Sequence, residues 1–385
     1  MEALIAQLQS LAGESDEAGR IDIQNALRQL LSEIASPKDI RMGLFNSHLQ
    51  IATVRLATEA GIFQTLSQSK EALTFSQIAE KSTASPELFE RILRYLASNN
   101  MVTETGPGTY KANETSHALA DPSAKAFAEY AFDQAGPIIQ AYPSFFAETK
   151  YQDITQDNNT PFQKAFNTKL NNFAWLAEHP EHFAALQKMM SALGSSDWTA
   201  GFNSFDRATK AVTGSRQGSE RPFFVDVGGG YGHQCIQLRN KYPNLAGWLV
   251  LQDLPRAVED LPKIDGVESI SHDFFQAQPV PGARFYYLRR ILHDWLDAQC
   301  IQILNNLAAA MTSGSQILVD EMVVPETKVP WQVTVADLIL MNSLGGKERT
   351  KAQWEALAEQ AGLRVVEIHG YDPTTYFSVI VFERK

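Results

Sequence analysis

His293 is the residue best placed for chemistry in this 385-residue chain. It comes just after Arg284-Phe285-Tyr286-Tyr287-Leu288, an apolar run that reads as a strand, so it stands at that strand's carboxyl end. A neutral imidazole in such a position is matched to taking a proton near neutral pH. Two carboxylates close nearby segments: Glu321 after Gln316-Ile317-Leu318-Val319-Asp320, and Glu348 after a pair of glycines. A carboxylate that accepts the far ring N–H fixes the imidazole tautomer and stabilises the imidazolium formed on proton removal. Asp294 is the alternative orienting acid. The three acids favour a general base over a purely structural histidine.

A second group of residues is suited to holding a ligand. Phe223-Phe224-Val225-Asp226-Val227 reads as a buried strand, and Gly228-Gly229-Gly230-Tyr231-Gly232 turns it into a helix starting near His233. Strand, glycine turn and helix N-terminus form the opening unit of a nucleotide-type α/β domain. A dinucleotide fingerprint has glycine at its first, third and sixth positions. Counting from Gly228, the third position is Gly230 but the sixth is His233, and Gly232 makes an alternating pattern instead. Asp253 closes Trp248-Leu249-Val250-Leu251-Gln252, where a carboxylate can accept both hydroxyls of a ribose. Asp273 and Phe274 follow the short strand Val267–Ile270 and suit an adenine, the acid for its amine and the ring for its face. Trp295 is placed to cover the opposite face.

The elements that must position these residues follow from hydrophobic spacing. After Phe223 the chain alternates strands and helices, and its last two strands, Leu363–His369 and Tyr376–Phe382, are close enough to pair antiparallel. Before it the pattern is helical. Leu4, Leu8, Leu11, Ile21, Ile23, Leu27, Leu30, Leu31 and Ile34 make apolar faces that need a partner surface, and a second copy of the chain is the candidate. A helix is expected from Leu44 to Leu66 with a break at Gly61, and another behind Ser85-Pro86, presenting Leu88, Ile92, Leu93, Tyr95 and Leu96. With a hairpin around Gly106-Pro107-Gly108, this makes a winged helix. Residues 117–200 are helical and rich in aromatics; Phe132 and Phe173 are pocket candidates among them, although such a group serves a core equally well. His179 and His182 lack a completing metal-ligand pattern and read as a solvated helix face. Ala211–Arg221 reads as a flexible joint. The expected division is 1–120, 121–210 and 221–385.

Bulk properties narrow the function class. A formal net charge of −11 opposes nucleic acid as the main partner, and the helix of the winged module that would enter a groove carries Glu87 and Glu90 beside Arg91 and Arg94. No apolar run is long enough to span a bilayer, and Met1-Glu2-Ala3-Leu4 lacks the basic start of a signal peptide. The two cysteines, Cys235 and Cys300, read as buried thiols of a reduced compartment, and the cytosol is the expected address.

Val225-Asp226-Val227-Gly228-Gly229-Gly230, Leu292-His293-Asp294-Trp295 and Gly345-Gly346-Lys347-Glu348-Arg349-Thr350 together resemble the caffeate- and flavonoid-type O-methyltransferases, which are class I S-adenosylmethionine-dependent enzymes. The resemblance covers most of the chain and is most specific in its C-terminal part. It implies a Rossmann-like domain with a mostly parallel seven-stranded sheet and antiparallel edge, a winged-helix dimerisation domain, and a homodimer. His293 is implied as the base, flanked by Glu321 and Glu348, with S-adenosylmethionine as methyl donor and no metal. Asp226, Gly228, Asp253, Asp273, Phe274 and Arg289 are implied as cofactor contacts. A lysine is usual where Arg289 stands, so that contact departs from the pattern. Ile339, Met341, Asn342 and Ser343 fall where substrate contacts are expected. The expected reaction is O-methylation of an aromatic or polyketide-derived small molecule. Two rivals stay open: an S-adenosylmethionine-bound cyclase of the same fold, catalysing dehydration or a pericyclic reaction, and a winged-helix ligand-responsive regulator. A nicotinamide enzyme is disfavoured by His233.

Overall fold

The computed structural model describes residues 2–192, 196–212, 221–259, 261–372 and 375–385. Positions 213–220 of the expected joint lie outside the described residues. The chain forms two compact units, Met1–Phe145 with Pro161–Ser195, and Phe146–Thr160 with Ser196–Lys385. No described helix is long and apolar enough to cross a membrane.

In the first unit, helices Glu2–Glu14, Glu17–Ile34 and Pro37–Glu59 open the chain. Ser36 and Asp39 form a capping box at the third, with Pro37 in its first turn, so the orphan N–H groups there are satisfied locally. Gly61, at φ +70°, separates this helix from Ile62–Ser67, where the break is expected. Strands β1 (Leu73–Thr74), β2 (Thr103–Gly106) and β3 (Thr109–Lys111) pair in the order β1-β3-β2 around helices Phe75–Lys81 and Pro86–Ser98. This is the expected winged helix. Ser85 caps the second of these helices by accepting from Leu88 N–H. One face assignment is corrected: Leu88 is exposed, and Phe89 packs inward with Ile92, Leu93 and Leu96. Phe89, Ile92, Leu93 and Leu96 stand at i, i+3, i+4 and i+7 and share one helical face, with Leu88 at its edge.

The aromatic region divides between core and surface. Phe162, Trp175, Ile138 and Leu176 form a small core, whereas Phe127, Phe132, Phe173 and Phe183 are exposed. His179 and His182 are not a solvated face. The His179 ring stacks on Trp175 at 3.8 Å with its Nδ1 2.7 Å from the Trp175 carbonyl oxygen, and the His182 ring lies 4.9 Å from Trp175. The first two helices bury none of their residues, and Leu4, Leu11, Leu27, Leu30, Leu31, Ile34, Leu44 and Phe45 stand exposed.

The second unit is built on one sheet. Its strands are β4 (Phe224–Val227), β5 (Leu249–Asp253), β6 (Val267–Ser271), β7 (Phe285–Arg289), β8 (Gln316–Val324), β9 (Arg349–Thr350), β10 (Leu363–Asp372) and β11 (Phe377–Arg384). Their order is β10-β11-β8-β7-β4-β5-β6, with β9 pairing β8 off this path. The strands from β8 to β6 are parallel, while β11 runs antiparallel to both β8 and β10. The chain moves outward from β4 through β5 to β6, then returns to the other side of β4 for β7. This reversal opens a crevice at the carboxyl ends of β4 and β7.

Both faces of the sheet are buried, so its strands read as continuous apolar runs. Val225, Val250, Tyr286, Leu288, Ile317 and Val319 face Ile303, Leu304, Leu307, Trp354 and Leu357 of helices Asp297–Ala310 and Lys351–Gln360. Phe224, Leu249, Leu251, Phe285, Tyr287 and Leu318 face Trp198, Phe202, Phe205 and Leu238. Leu304 is fully buried in the first of these cores. Leu304→Ala is expected to lower unfolding free energy by ~2–5 kcal/mol in urea titration, through lost burial and a residual cavity.

Candidate active site

The site is assembled at the carboxyl ends of β7 and β8. After Arg289 the backbone turns sharply, with Arg290 at φ +53°, and a short 3-10 turn over Leu292–Asp294 carries the imidazole. Glu321 on β8 holds that turn. Its Oε1 accepts from the backbone N–H groups of Ile291 and Leu292, each at 2.9 Å, and from that of His293 at 3.4 Å. Its Oε2 lies 3.3 Å from His293 Nδ1. Glu348 Oε1 is 2.8 Å from the same nitrogen, and Asp294 Oδ1 is 3.4 Å from Nε2 on the opposite side of the ring. The two glutamate side chains are 0% and 1% exposed and the imidazole 13%, so this charge cluster is nearly dry.

Burial alone would lower the His293 pKa, but Glu321, Asp294 and Glu348 oppose it and push it up to about 10. The acids move with it. Burial raises Asp294 to about 6 against the pull of His293, and Glu321 is pushed upward mainly by its own burial. Nδ1 is therefore committed to the glutamates, and Nε2 is the nitrogen left to face a reactant.

A second strap holds the base from behind. Lys347 N–H donates to the His293 carbonyl oxygen at 2.9 Å. The Arg349 guanidinium donates to the Leu292 and Trp295 carbonyl oxygens at 3.0 and 3.2 Å and to Asp297 Oδ1 at 2.8 Å. A methyl group on Gly346 would collide with the His293 carbonyl, which is why this position has no side chain. Asp337 holds Glu348 by accepting its backbone N–H at 2.8 Å. Asp337 and Arg349 were absent from the roles read in the sequence. Arg349 was visible beside Glu348, whereas Asp337 had no local signal.

The expected cofactor residues gather at the same edge. Gly228, Gly230 and Gly232 have φ values of +74°, +55° and +74°, and a Cβ on Gly230 would meet nothing within 4 Å. The loop thus presents open backbone at Gly230, whereas a Cβ on Gly228 would meet Ile291 and one on Gly232 would meet Ile264. Asp253 Oδ2 accepts from Gly230 N–H at 2.8 Å and Oδ1 from Leu254 N–H at 2.7 Å, which joins the glycine loop to the end of β5. Asp226 is buried beneath the loop, and desolvation raises its pKa to about 7. Asp273 Oδ1 accepts from Phe275 N–H at 3.0 Å. The half-buried Phe274 packs edge-on to Trp295, with ring centroids 6.0 Å apart. Open backbone, a strand-end acid and half-buried rings fit a nucleoside with an amino-acid tail. Arg289 is engaged within the protein, its Nη1 2.7 Å from Asp320 Oδ2.

Of the substrate candidates, Asn342 and Ser343 are buried and Ile339 and Met341 half-buried on helix Trp331–Leu344, which ends at Gly345 just before the strap. The Asn342 side-chain oxygen is buried without a hydrogen-bond partner. Phe132 and Phe173 lie in the other compact unit. His293, Glu321 and Glu348 also bring ligand atoms within 4.8 Å of one another, as a metal site would. The 2.8 Å contact between ring nitrogen and carboxylate is, however, a formed hydrogen bond.

Gly346→Ala is expected to displace the His293 turn: catalytic activity should fall at least ~100-fold and thermal stability should drop, since a strap this close cannot yield without moving the base. Activity assay and thermal melt together check this.

Comparison with known proteins agrees with this geometry. The O-methyltransferase domain family matches residues 150–364, and the O-methyltransferase dimerisation domain family matches residues 42–122. Demethylsterigmatocystin 6-O-methyltransferase of Aspergillus flavus is 39% identical over 97% of this chain and 95% of its own length. O-methyltransferase lepI of the same species is 38% identical over 99% and 98%. Among solved structures, LepI in complex with S-adenosylmethionine superposes with a TM-score of 0.90 at 36% identity, covering 100% of this chain and 98% of that one. OxaC in complex with S-adenosylhomocysteine and oxaline gives a TM-score of 0.82 at 25% identity, covering 99% and 97%. The chain belongs to the S-adenosylmethionine-dependent O-methyltransferase family with an N-terminal dimerisation domain.

Proposed function

We propose that this enzyme methylates a phenolic or enolic hydroxyl of an aromatic, polyketide-derived small molecule, with His293 as the base that removes the hydroxyl proton. The observation that carries this reading is the buried imidazole with Nδ1 2.8 Å from Glu348 and 3.3 Å from Glu321. The curated relative that acts on demethylsterigmatocystin supports the substrate class. S-adenosylmethionine, when bound, supplies an activated sulfonium methyl. Asp226, Gly228, Gly230, Asp253, Asp273, Phe274, Arg289 and Trp295 are the proposed residues around it, Arg289 through the network it forms with Asp320.

The chain's own residues then do three things. Glu321 and the strap from Gly346 to Arg349 hold the imidazole in one orientation. Glu348 keeps the proton on Nδ1, so Nε2 presents its lone pair to the hydroxyl once the ring is neutral. Asn342, Ser343, Met341 and Ile339 are proposed to line the acceptor side, and Asp294 to share the acceptor's hydrogen bonding. With the donor already activated, the protein contributes positioning and exclusion of water. The exposed apolar helices of the first unit and the dimerisation domain support a homodimer in which a second copy covers those faces.

One solved neighbour is described as a pericyclic reaction enzyme, with a TM-score of 0.89 and 37% identity. The complete His293–Glu321–Glu348 set favours methyl transfer over that reading. Incubation with radiolabelled S-adenosylmethionine and a panel of phenolic polyketides tests it. His293→Ala should cost ~10²–10⁴-fold in kcat while donor binding persists. Rearranged, unlabelled product with the donor intact would instead support the cyclase.

Because three acids hold His293 protonated up to about pH 10, the neutral base is a minor form at pH 7. The rate constant kcat/KM is therefore expected to climb with pH through the neutral and alkaline range. Glu348→Gln removes one of the charges that stabilise the imidazolium, so its His293 pKa falls and the rising limb moves to lower pH, with a reduced plateau. A limb that stays in place would show that Glu348 does not act on the base.

A further inference from the structure

Asp337 is the single charged residue of the helix Trp331–Leu344, whose other side chains are all neutral. At mid-helix it caps neither end. Among the described residues its carboxylate makes one hydrogen bond, with Oδ1 accepting from the Glu348 backbone N–H at 2.8 Å. The helix ends at Gly345, whose φ of +75° turns the chain, and the segment that follows runs back beside Asp337.

Three consecutive residues of that segment are tied to three different elements. Lys347 N–H donates to the His293 carbonyl oxygen at 2.9 Å, Glu348 N–H donates to Asp337, and Arg349 stands opposite Val323 where β9 pairs with β8. Of these backbone ties only the middle one depends on a side chain. It is also the tie nearest the base, because Glu348 Oε1 lies 2.8 Å from His293 Nδ1. The other oxygen, Oε2, is buried without a hydrogen-bond partner. A carboxylate with one oxygen engaged and the other unpartnered does not fix its own position, so its backbone must be fixed for it.

We infer that Asp337 is a positioning residue of the base: by accepting the Glu348 N–H it keeps the Glu348 carboxylate on His293 Nδ1. The inference deepens the methyl-transfer reading and rests on it for the role of that imidazole. Asp337 acts as an acceptor oxygen rather than as a charge. The acids that raise His293 against its burial are Glu321 of β8, Asp294 of the turn and Glu348 of the strap. Asp337 makes no hydrogen bond or ion pair with the ring among the described residues, and it is faced by Glu348, Lys347 and Arg349. Around them, Lys347 and Arg349 share Asp297, and Glu321 is also faced by Arg290.

The test reads the His293 proton directly, by carbon NMR titration of the full-length protein carrying isotope-labelled histidine and saturated with S-adenosylhomocysteine. The His293 signal is assigned by its absence in His293→Ala. Wild type should keep the ring proton up to about pH 10. Asp337→Ala leaves the Glu348 N–H without its acceptor and loosens a contact that stabilises the imidazolium. His293 should then titrate about one pH unit lower, a ~10-fold loss of proton affinity. The rising limb of kcat/KM should move to lower pH with it. Asp337→Ser, whose hydroxyl falls short of the N–H, is read in the same way if the alanine variant does not fold. Asp337→Asn keeps a carbonyl oxygen for the N–H without the charge and should restore the wild-type titration. A titration unchanged in Asp337→Ala or Asp337→Ser, or displaced equally in Asp337→Asn, overturns the inference, whatever happens to the melting temperature. A displaced titration without methyl transfer to any acceptor removes the methyl-transfer reading and leaves this inference standing. Methyl transfer with an undisplaced titration does the reverse.

Discussion

Glu321 is an acid buried entirely within protein, and the shape of the catalytic end depends on what it is bonded to. An ionised carboxylate removed from water costs several kcal/mol unless hydrogen bonds and an opposite charge compensate. Here one oxygen takes the backbone N–H groups of the His293 turn and the other faces the imidazole. The same group therefore folds the loop and sets the charge state of the base. That coupling explains why the imidazole is held as a cation at rest, and why loop geometry and proton affinity cannot vary independently.

The pleat of β8 separates two electrostatic tasks. Asp320 and Glu321 are consecutive, so their side chains leave opposite faces of the sheet. Asp320 gathers Arg289, Tyr287 and Tyr371 on one face, a network that neutralises the cation next to the glycine loop. Glu321 serves the base on the other. Arg290, turned out of the strand by its left-handed backbone, lays its guanidinium over the Phe377 ring.

The N-terminal unit presents a different physical problem. Its winged-helix core is well buried, yet the helices before it carry a long apolar stripe that meets no core within the chain. Exposed apolar surface on this scale signals an interaction surface. Residues 42–122, which follow most of that stripe, match the O-methyltransferase dimerisation domain family, and the helix of the winged module carries balanced charge in an acidic chain.

Much of this molecule was legible along the chain because its signals are local. Apolar runs of strand length, glycines at alternating positions, Ser85 before Pro86 and the break at Gly61 each act on their own few residues, and the winged helix and the parallel sheet followed from them. The approach of His293 to Glu321 and Glu348 could be anticipated from three strand-end positions, since parallel strands bring their carboxyl ends to one edge. What stayed hidden depends on distances across the fold. Nothing near Asp337 announces that it holds the Glu348 backbone, and the stacking of His179 on Trp175 needs the helix C-terminus to be packed rather than solvated. Arg289 and Arg290 are adjacent and chemically identical in sequence. Only the tertiary structure gives Arg289 the ion pair with Asp320 and lays Arg290 over the Phe377 ring, because contacts are decided by where the backbone turns each side chain.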